Sequence, residues 1–440
     1  MNNPIKFNKK ISSYNNKIFI DGDKSLSIRW ALLASQASGK SRAYKLLKSE
    51  DVMSVIICLK KLGIKVKIKN DYCEIIGKGL NGYNYKNNLV LNAGNSGTLG
   101  RLMLGLLVHS KKKIKLIGDK SLSKRDFSRV TKPLKKFGAK FYSNKKNRLP
   151  LSIMGTNSPK PIDYFEDKAS AQVKTSICFA ALNTPGETVI KAKKSRNHTE
   201  LLFKYLKIPI KIKKTKQFDF IKIKGKKEIQ SFNYTIPADI SSSAFFIVLT
   251  ALSNNSKLLI KNVNINPSRN GVIKILKKMG VTILTKNKKK YKGEDIADIF
   301  VKSSKNLKAI NCPEELNSSA IDEFLILFLV AARANGISYF KNLSELNKKE
   351  SPRLKWGSKI LNMMGIKTDL TEHSIKIYGQ PNLKIKKTII IKNYLKDHRI
   401  FMMSTIAALT CGGEWKIYDP DSIKTSFPSF LKIIKKLNKK

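Results

Sequence analysis

Six short runs in this chain set small polar residues beside charged or amide ones, just ahead of strongly apolar stretches. They are KSLSIR (24–29), NSGTLGR (95–101), SAQ (170–172), DISSS (239–243), IDE (321–323) and DHR (397–399). Read as helix starts, they offer unpaired N–H groups and a partial positive charge, which suits a bound anion. Small residues such as Ser25, Gly97 and Ser170 let a ligand come close to those amides. Ser, Asp and Asn are also ordinary N-cap residues, so any single start could be no more than a cap. Six equivalent starts that all carry additional charged or amide side chains are harder to read that way.

The arginines point in the same direction. Of 86 basic residues only eleven are Arg, yet Arg29, Arg101, Arg125, Arg196, Arg353 and Arg399 lie within or just beside these runs or the segments that follow them. A guanidinium grips carboxylate or phosphate with a planar fork that Lys cannot imitate. The pattern suggests a small substrate with several anionic groups, although some of these arginines, Arg101 among them, could be structural ion-pair partners.

The elements that must position these residues follow from internal periodicity. One segment type reads helix, break, strand: Val52–Lys60 before KLGIKVKI, Val130–Lys136 before FGAKFYS, Val272–Lys278 before MGVTILT and Leu354–Met363 before MGIKTDL. Leu201–Tyr205 leads similarly into IPIKIKK. Val52, Val55, Ile56 and Leu59 fall at i, i+3, i+4 and i+7, one apolar face of a helix. Between these segments come more uniformly apolar helices, beginning near Lys24, Asn95, Ser170, Asp239, Ile321 and Asp397. Six units result, each of two helices and several short strands. The sixth, ending at SFLKIIKKLNKK, lacks a closing hairpin, which the runs PIKFNKK and NKIFI near the N-terminus could supply. The expected architecture is α/β (α+β): residues 22–238 form an N-terminal lobe of three units, and residues 1–21 with 239–440 form a C-terminal lobe of three.

Composition sets bounds on this reading. A chain of 440 residues with 42% apolar residues can fill two cores. The net charge of +55 invites a polyanion partner, but the Lys are scattered, as on solvated faces. No aromatic–basic stripe of the kind that binds single strands runs along the chain, so no nucleic-acid partner is expected. The five Cys include no CxxC and read as buried thiols of a reducing compartment. The N-terminus MNNPIKFNKK has no apolar signal core, and the most apolar stretch, Phe324–Ala332, is far too short to cross a bilayer. A cytoplasmic monomer without membrane contact is expected.

Ten segments, in order, are DGDKSLSIR, NAGNSGTLGR, LSKRDF, SAQVKTS, SRNHTE, PADISSSAFF, IDEF, KKESPRL, DHRIFM and TSFPSF. The series resembles the motifs of the EPSP synthase family of enolpyruvyl transferases, and the likeness covers essentially the whole chain. It implies two globular domains, each of three βαβαββ repeats, hinged around a central cleft. The implied reaction moves the enolpyruvyl group of phosphoenolpyruvate onto the 5-hydroxyl of shikimate 3-phosphate, with no metal and no organic cofactor. Carried over residue by residue, shikimate 3-phosphate contacts fall on Lys24, Ser25, Arg29, Ser170, Gln172, Arg196, Asp322 and Lys349. Phosphoenolpyruvate contacts fall on Lys24, Gly97, Arg125, Gln172, Arg353 and Arg399. Asp322 would take the hydroxyl proton, and Glu350, with Lys24 close by, would exchange the proton at the methylene carbon.

The sequence departs from the family pattern at several positions. Asp21, Ile28 and Asp126 stand where Pro, His and Pro are common, Pro352 replaces the usual Asp of KESDR, and Thr425 aligns with a position that is basic in part of the family. Three other readings compete. One is the sister activity on UDP-N-acetylglucosamine, whose mobile-loop Cys has no counterpart in residues 105–130. The others are a polyanion-binding protein and an inactive scaffold on the same repeats.

Overall fold

The computed structural model describes residues 3–144, 146–225 and 227–438. The chain divides into two compact units. One, the N-terminal unit, comprises Gly22–Ile236 and Tyr291–Glu294; the other, the C-terminal unit, comprises Met1–Asp21, Pro237–Lys290 and Asp295–Lys440. Each encloses its own apolar core.

Three helices form the centre of each unit, and their sequences explain why. In the N-terminal unit they are Lys24–Gln36, Gly97–Leu106 and Ala171–Leu182; in the C-terminal unit they are Ile240–Leu252, Phe324–Ala332 and His398–Cys411. A helix that is apolar all round has no face to give to water and must be surrounded by protein. FLILFLVAA, residues 324–332, is accordingly buried at every position. The amphipathic helices lie outside them: Glu50–Lys61, Ser128–Lys136 and His198–Tyr205 in one unit, and Gly271–Lys278, Arg353–Met363 and Phe430–Leu437 in the other. Glu50–Lys61 buries Val52, Val55, Ile56 and Leu59, the face its spacing predicts.

Small sheets enclose these helices; among the described residues there are six, five of them mixed and one, of Ile337–Phe340, Ile375–Tyr378 and Thr368–Leu370, antiparallel. The sheet of strands Leu89–Asn92, Ile114–Ile117, Leu151–Met154 and Lys140–Tyr142 shows the repeat plainly. Its first pair is parallel, bridging a helix, and the rest is antiparallel. Asp163–Glu166, Glu187–Lys193, Phe218–Lys224 and Ile210–Lys214 repeat the pattern. The βαβαββ repeat and its two-domain arrangement are therefore present.

Two details differ from the sequence reading. The N-terminal runs do not form a hairpin. Ile5–Phe7 pairs antiparallel with Trp415–Ile417, whereas Asn15–Phe19 pairs parallel with Lys257–Asn264 in another sheet. The connection carries buried Ile11 and Tyr14, and the Tyr14 hydroxyl lies 2.9 Å from Thr250 Oγ1, so the chain is drawn along the core between the two sheets. Residues 239–440 also do not group as one block. Tyr291–Glu294 belongs with the N-terminal unit, where Glu294 Oε1 lies 2.7 Å from His198 Nδ1 and Tyr291 packs edge-on against Tyr234.

Close helix packing in the N-terminal unit depends on Gly105. A Cβ there would lie 2.2 Å from the Ser176 carbonyl oxygen on the neighbouring central helix. Gly105→Ala is expected to cost about 1–3 kcal/mol through overpacking, read from urea unfolding. An unchanged midpoint would show that these helices are not held this tightly.

Candidate active site

The six leaders fold as helix starts, and a side chain caps most of them. Asp23 Oδ1 accepts from Leu26 N at 2.8 Å, Ser96 Oγ from Leu99 N at 3.2 Å and Ser170 Oγ from Val173 N at 3.4 Å. Asp239 Oδ1 accepts from Ser241 N at 2.7 Å, and Asp397 Oδ1 from Arg399 N at 3.0 Å. The fifth helix starts later than its sequence suggests. It begins at Phe324, so Asp322 sits in a turn after the short helix Asn317–Ala320 and is not part of the helix proper.

In the N-terminal unit, Lys24 Nζ is held by Asp51 at 2.9 Å. Arg29, one turn further along the same helix, donates from Nε to Thr199 Oγ1 at 2.9 Å and from Nη2 to Thr175 Oγ1 at 3.0 Å. Its Nη1 also reaches the Ser25 carbonyl, which ties the first two turns together. Gln172 joins the second and third central helices: Nε2 donates to Thr98 Oγ1 at 3.0 Å, and Oε1 accepts from Arg101 Nη1 at 2.7 Å. A Cβ at Gly97 would lie 2.9 Å from Arg101 Nη1 and 3.0 Å from Arg125 Nη1, so glycine leaves room for two guanidinium groups beside the helix start. Arg125 also donates to Asn95 Oδ1 at 3.4 Å. Ser170 N donates to Glu166 Oε2, and half-buried Arg196 lies in the loop before the His198–Tyr205 helix.

The C-terminal unit gathers the remaining predicted residues around one buried arginine. Arg353 is 2% exposed. It donates from Nε to Asp397 Oδ2 at 2.8 Å and from Nη2 to Asp397 Oδ1 at 3.2 Å, the fork-on-fork geometry of a strong pair. Nη2 also pairs with Glu350, and Nη1 lies 3.5 Å from Asp322. Burial alone would lower the arginine's pKa, but Asp397, Glu350 and Asp322 together outweigh it and hold the group firmly protonated. The Asp322 carboxylate meets Lys349 Nζ at 3.2 Å and Arg399 Nη2 at 4.0 Å, and its carbonyl accepts from Arg399 Nη1. Lys348, next to Lys349 in sequence, pairs with Glu345 at the surface.

Several supporting residues were missed by sequence reasoning. Asp51 was given no role and Asp397 entered only as part of the DHR leader; each anchors a cation. Arg269, in NPSRNG, was given no role. Its Nη2 donates to Ser241 Oγ at 2.7 Å; Ser241 donates to Glu323, and Glu323 lies 3.6 Å from Arg399 Nη1. No local spacing announces contacts between residues this far apart in sequence.

Two of the departures, Pro352 and Thr425, are accommodated. Pro352 immediately precedes the Arg353–Met363 helix, where its missing N–H costs no helical bond, and its carbonyl accepts from Trp356 N at 3.0 Å. Ser351, restricted by that proline, donates to Asp397 Oδ2 at 2.9 Å. Thr425 Oγ1 lies 3.3 Å from His398 Nδ1, and Lys424 pairs with Asp421.

A cavity of about 440 Å³ in the N-terminal unit, lined by Gln36, Leu106, His109 and Asn183, sits at the opposite ends of the three central helices from the leaders. The chemistry of the leaders does not extend to it.

Comparison with known proteins is consistent along the whole chain. The family described as EPSP synthase (3-phosphoshikimate 1-carboxyvinyltransferase) matches residues 8–434. The chain belongs to the EPSP synthase family. A relative named 3-phosphoshikimate 1-carboxyvinyltransferase from Ruthia magnifica subsp. Calyptogena magnifica is 39% identical over 426 residues, covering 97% of this chain and 96% of the relative. One of the same name from Petrotoga mobilis is 38% identical over 427 residues, covering 96% and 97%. The EPSP synthase structure from Acinetobacter baumannii superposes with a TM-score of 0.85 at 34% identity, covering 98% of this chain and 97% of that one. The enolpyruvyl transferase NikO from Streptomyces tendae shares the fold at 13% identity, with a TM-score of 0.77 over 99% of this chain and 97% of that one.

Within this EPSP synthase family member, the Arg353–Asp397 pair makes a direct prediction. Asp397→Ala should cost roughly 3–5 kcal/mol, because it leaves a buried guanidinium without its main counter-charge. Urea unfolding reads this, and a loss within experimental error would show that the pair does not carry the local structure.

Proposed function

We propose that this chain transfers the enolpyruvyl group of phosphoenolpyruvate to the 5-hydroxyl of shikimate 3-phosphate, releasing phosphate. The observation that carries the reading is the Asp322 carboxylate, set among Lys349, Arg353 and Arg399 in a chain of this family. The names of the relatives and the cation-lined starts of the N-terminal unit support it.

The chemistry divides among the residues as follows. Protonation of the methylene carbon leaves positive charge at C2, which the 5-oxygen attacks as Asp322 takes the hydroxyl proton. A tetrahedral adduct forms. Its collapse breaks the bond between C2 and the phosphate oxygen, and a proton leaves the new methyl group to restore the double bond. Glu350 and Lys24 are proposed to move that carbon-bound proton. Shikimate 3-phosphate is assigned to Lys24, Ser25, Arg29, Ser170, Gln172, Arg196, Asp322 and Lys349. Phosphoenolpyruvate is assigned to Lys24, Gly97, Arg125, Gln172, Arg353 and Arg399. Fixed cations and helix-start amides stabilise charge developing on the adduct without having to reorganise first.

The sister chemistry with a mobile-loop thiol is not favoured. The five cysteines are buried, and burial raises Cys58 to about 11, Cys73 to about 12 and Cys312 to about 12, far from a nucleophilic thiolate. Cytoplasmic residence and a monomeric state belong to the same proposal. Unpaired thiols support the first, as does the finding that no helix among the described residues is long and apolar enough to cross a membrane.

Phosphate release from phosphoenolpyruvate should depend on shikimate 3-phosphate and fall by about 10²- to 10⁴-fold in Asp322→Ala, the usual weight of a general base. Turnover without shikimate 3-phosphate, or undiminished turnover in a folded Asp322→Ala protein, would contradict this. Arg29→Lys should raise the KM for shikimate 3-phosphate by roughly tenfold, since lysine cannot hold both Thr175 and Thr199 and still present a fork. An unaltered KM would remove Arg29 from the shikimate 3-phosphate contacts.

A further inference from the structure

Along the chain, aromatic and basic residues do not alternate; across one sheet they do. The sheet of Asp163–Glu166, Glu187–Lys193, Phe218–Lys224 and Ile210–Lys214 turns one face to the central helices and the other to solvent. Strand side chains alternate between faces. Thr188, Ile190 and Ala192 are buried while Lys191 and Lys193 are exposed; Ile221 and Ile223 are buried while Phe218 and Phe220 stay partly open. Phe165 on the neighbouring edge strand is 48% exposed.

Register brings these residues together. Lys191 faces Phe165 on one side and Phe220 on the other, Lys193 faces Phe218, and Lys213 faces Phe220. The Phe165 and Phe218 rings lie 5.6 Å apart, and Lys191 Nζ sits 5.1, 4.7 and 5.8 Å from Phe165, Phe218 and Phe220. Three aromatic rings from two strands thus lie in one exposed cluster, with lysines between and beside them. Of the acidic side chains of this face, Asp163 and Glu187 lie at its other end, where Lys222 neutralises Glu187 at 2.9 Å; Asp167 lies near Lys193 and is paired with Lys168 at 2.8 Å.

We propose that this sheet face binds single-stranded RNA, its bases stacking on Phe165, Phe218 and Phe220 and its phosphates meeting Lys191, Lys193 and Lys213. Four-stranded sheets that display aromatic residues are a platform for unpaired bases, and here the rings flank the Glu187–Lys193 strand from both sides. Every base has a π-face, so such stacking tolerates any sequence, and lysines alongside follow the backbone. Stacking a base on an aromatic ring is stronger than an exposed ammonium–ring contact, so a base displaces Lys191 from the rings and leaves its charge for a phosphate. The net charge of +55 supplies long-range attraction for a polyanion. A duplex stacks its own bases and presents only phosphates, so the aromatic cluster gains nothing from it. The inference is independent of the transferase reading, since none of these residues has a part in it.

The test is fluorescence anisotropy with the full chain, a labelled oligouridylate of about 12 nucleotides and a duplex of the same length, in roughly 0.1 M salt. The single strand should bind at least about tenfold more tightly than the duplex. The triple variant Phe165→Ala, Phe218→Ala, Phe220→Ala should lose about tenfold or more for the single strand, leave duplex binding unchanged and keep normal enolpyruvyl transfer. A second variant, Lys193→Gln with Lys213→Gln, should keep the preference for single strands and flatten the salt dependence by about two ions. Equal binding of single strand and duplex would overturn the proposal, as would undiminished single-strand binding by the triple variant. Vesicles of phosphatidylglycerol that bind through the three rings, with oligouridylate binding insensitive to them, would assign the face to a membrane and overturn the RNA proposal as well.

Discussion

Arg353 carries a positive charge where water scarcely reaches it, and the C-terminal unit is built around that requirement. An unpaired buried ion costs several kcal/mol, so counter-charges must come from the protein itself. Asp397 supplies the main one through both oxygens, and Glu350 and Asp322 complete the set. Asp397 also caps the helix that carries Arg399 and accepts from Ser351. One carboxylate thus fixes a guanidinium, a helix start and the loop entering the Arg353–Met363 helix, and Asp322 lies against that guanidinium.

The two units are charged differently at their helix starts. In the N-terminal unit the named groups are Lys24, Arg29, Arg101, Arg125 and Arg196 against Asp23, Asp51 and Glu166, a surplus of positive charge suited to holding anions. In the C-terminal unit Lys349, Arg353, Arg399 and Arg269 face Asp239, Asp322, Glu323, Glu350 and Asp397. Charge there is nearly balanced, and the carboxylates needed for proton transfer are held among cations. The proposed reaction draws on both kinds of surroundings: cations that attract phosphates and carboxylates, and carboxylates that can take up a proton.

Much of this was legible in the sequence because it is local. An all-apolar run such as FLILFLVAA cannot be other than central, the 52, 55, 56, 59 spacing fixes a buried face, and the order of the ten motifs carries the family. What could not be read lies in contacts between distant segments. Ser241 to Glu323, Arg269 to Ser241, and Arg353 to Asp397 join residues that no periodicity connects. The N-terminal runs were read as a hairpin because nearby strands usually pair; buried Ile11 and Tyr14 direct them to separate sheets. The cluster of Phe165, Phe218 and Phe220 arises only from register across strands, where a reading along the chain finds nothing. Pro352, a breach of the family motif by composition, costs its helix no hydrogen bond because it stands just outside it.

The account rests on Asp322 being presented as a base by cations that the Arg353–Asp397 pair keeps in place. A crystal structure of the chain with shikimate 3-phosphate and phosphoenolpyruvate bound tests this most directly. It should show Asp397 still gripping Arg353, Lys349 and Arg399 turned to ligand oxygens, and the Asp322 carboxylate within hydrogen-bonding reach of the 5-hydroxyl. Ligands bound elsewhere, or an Asp322 that stays paired with Lys349 and out of reach of that hydroxyl, would contradict it.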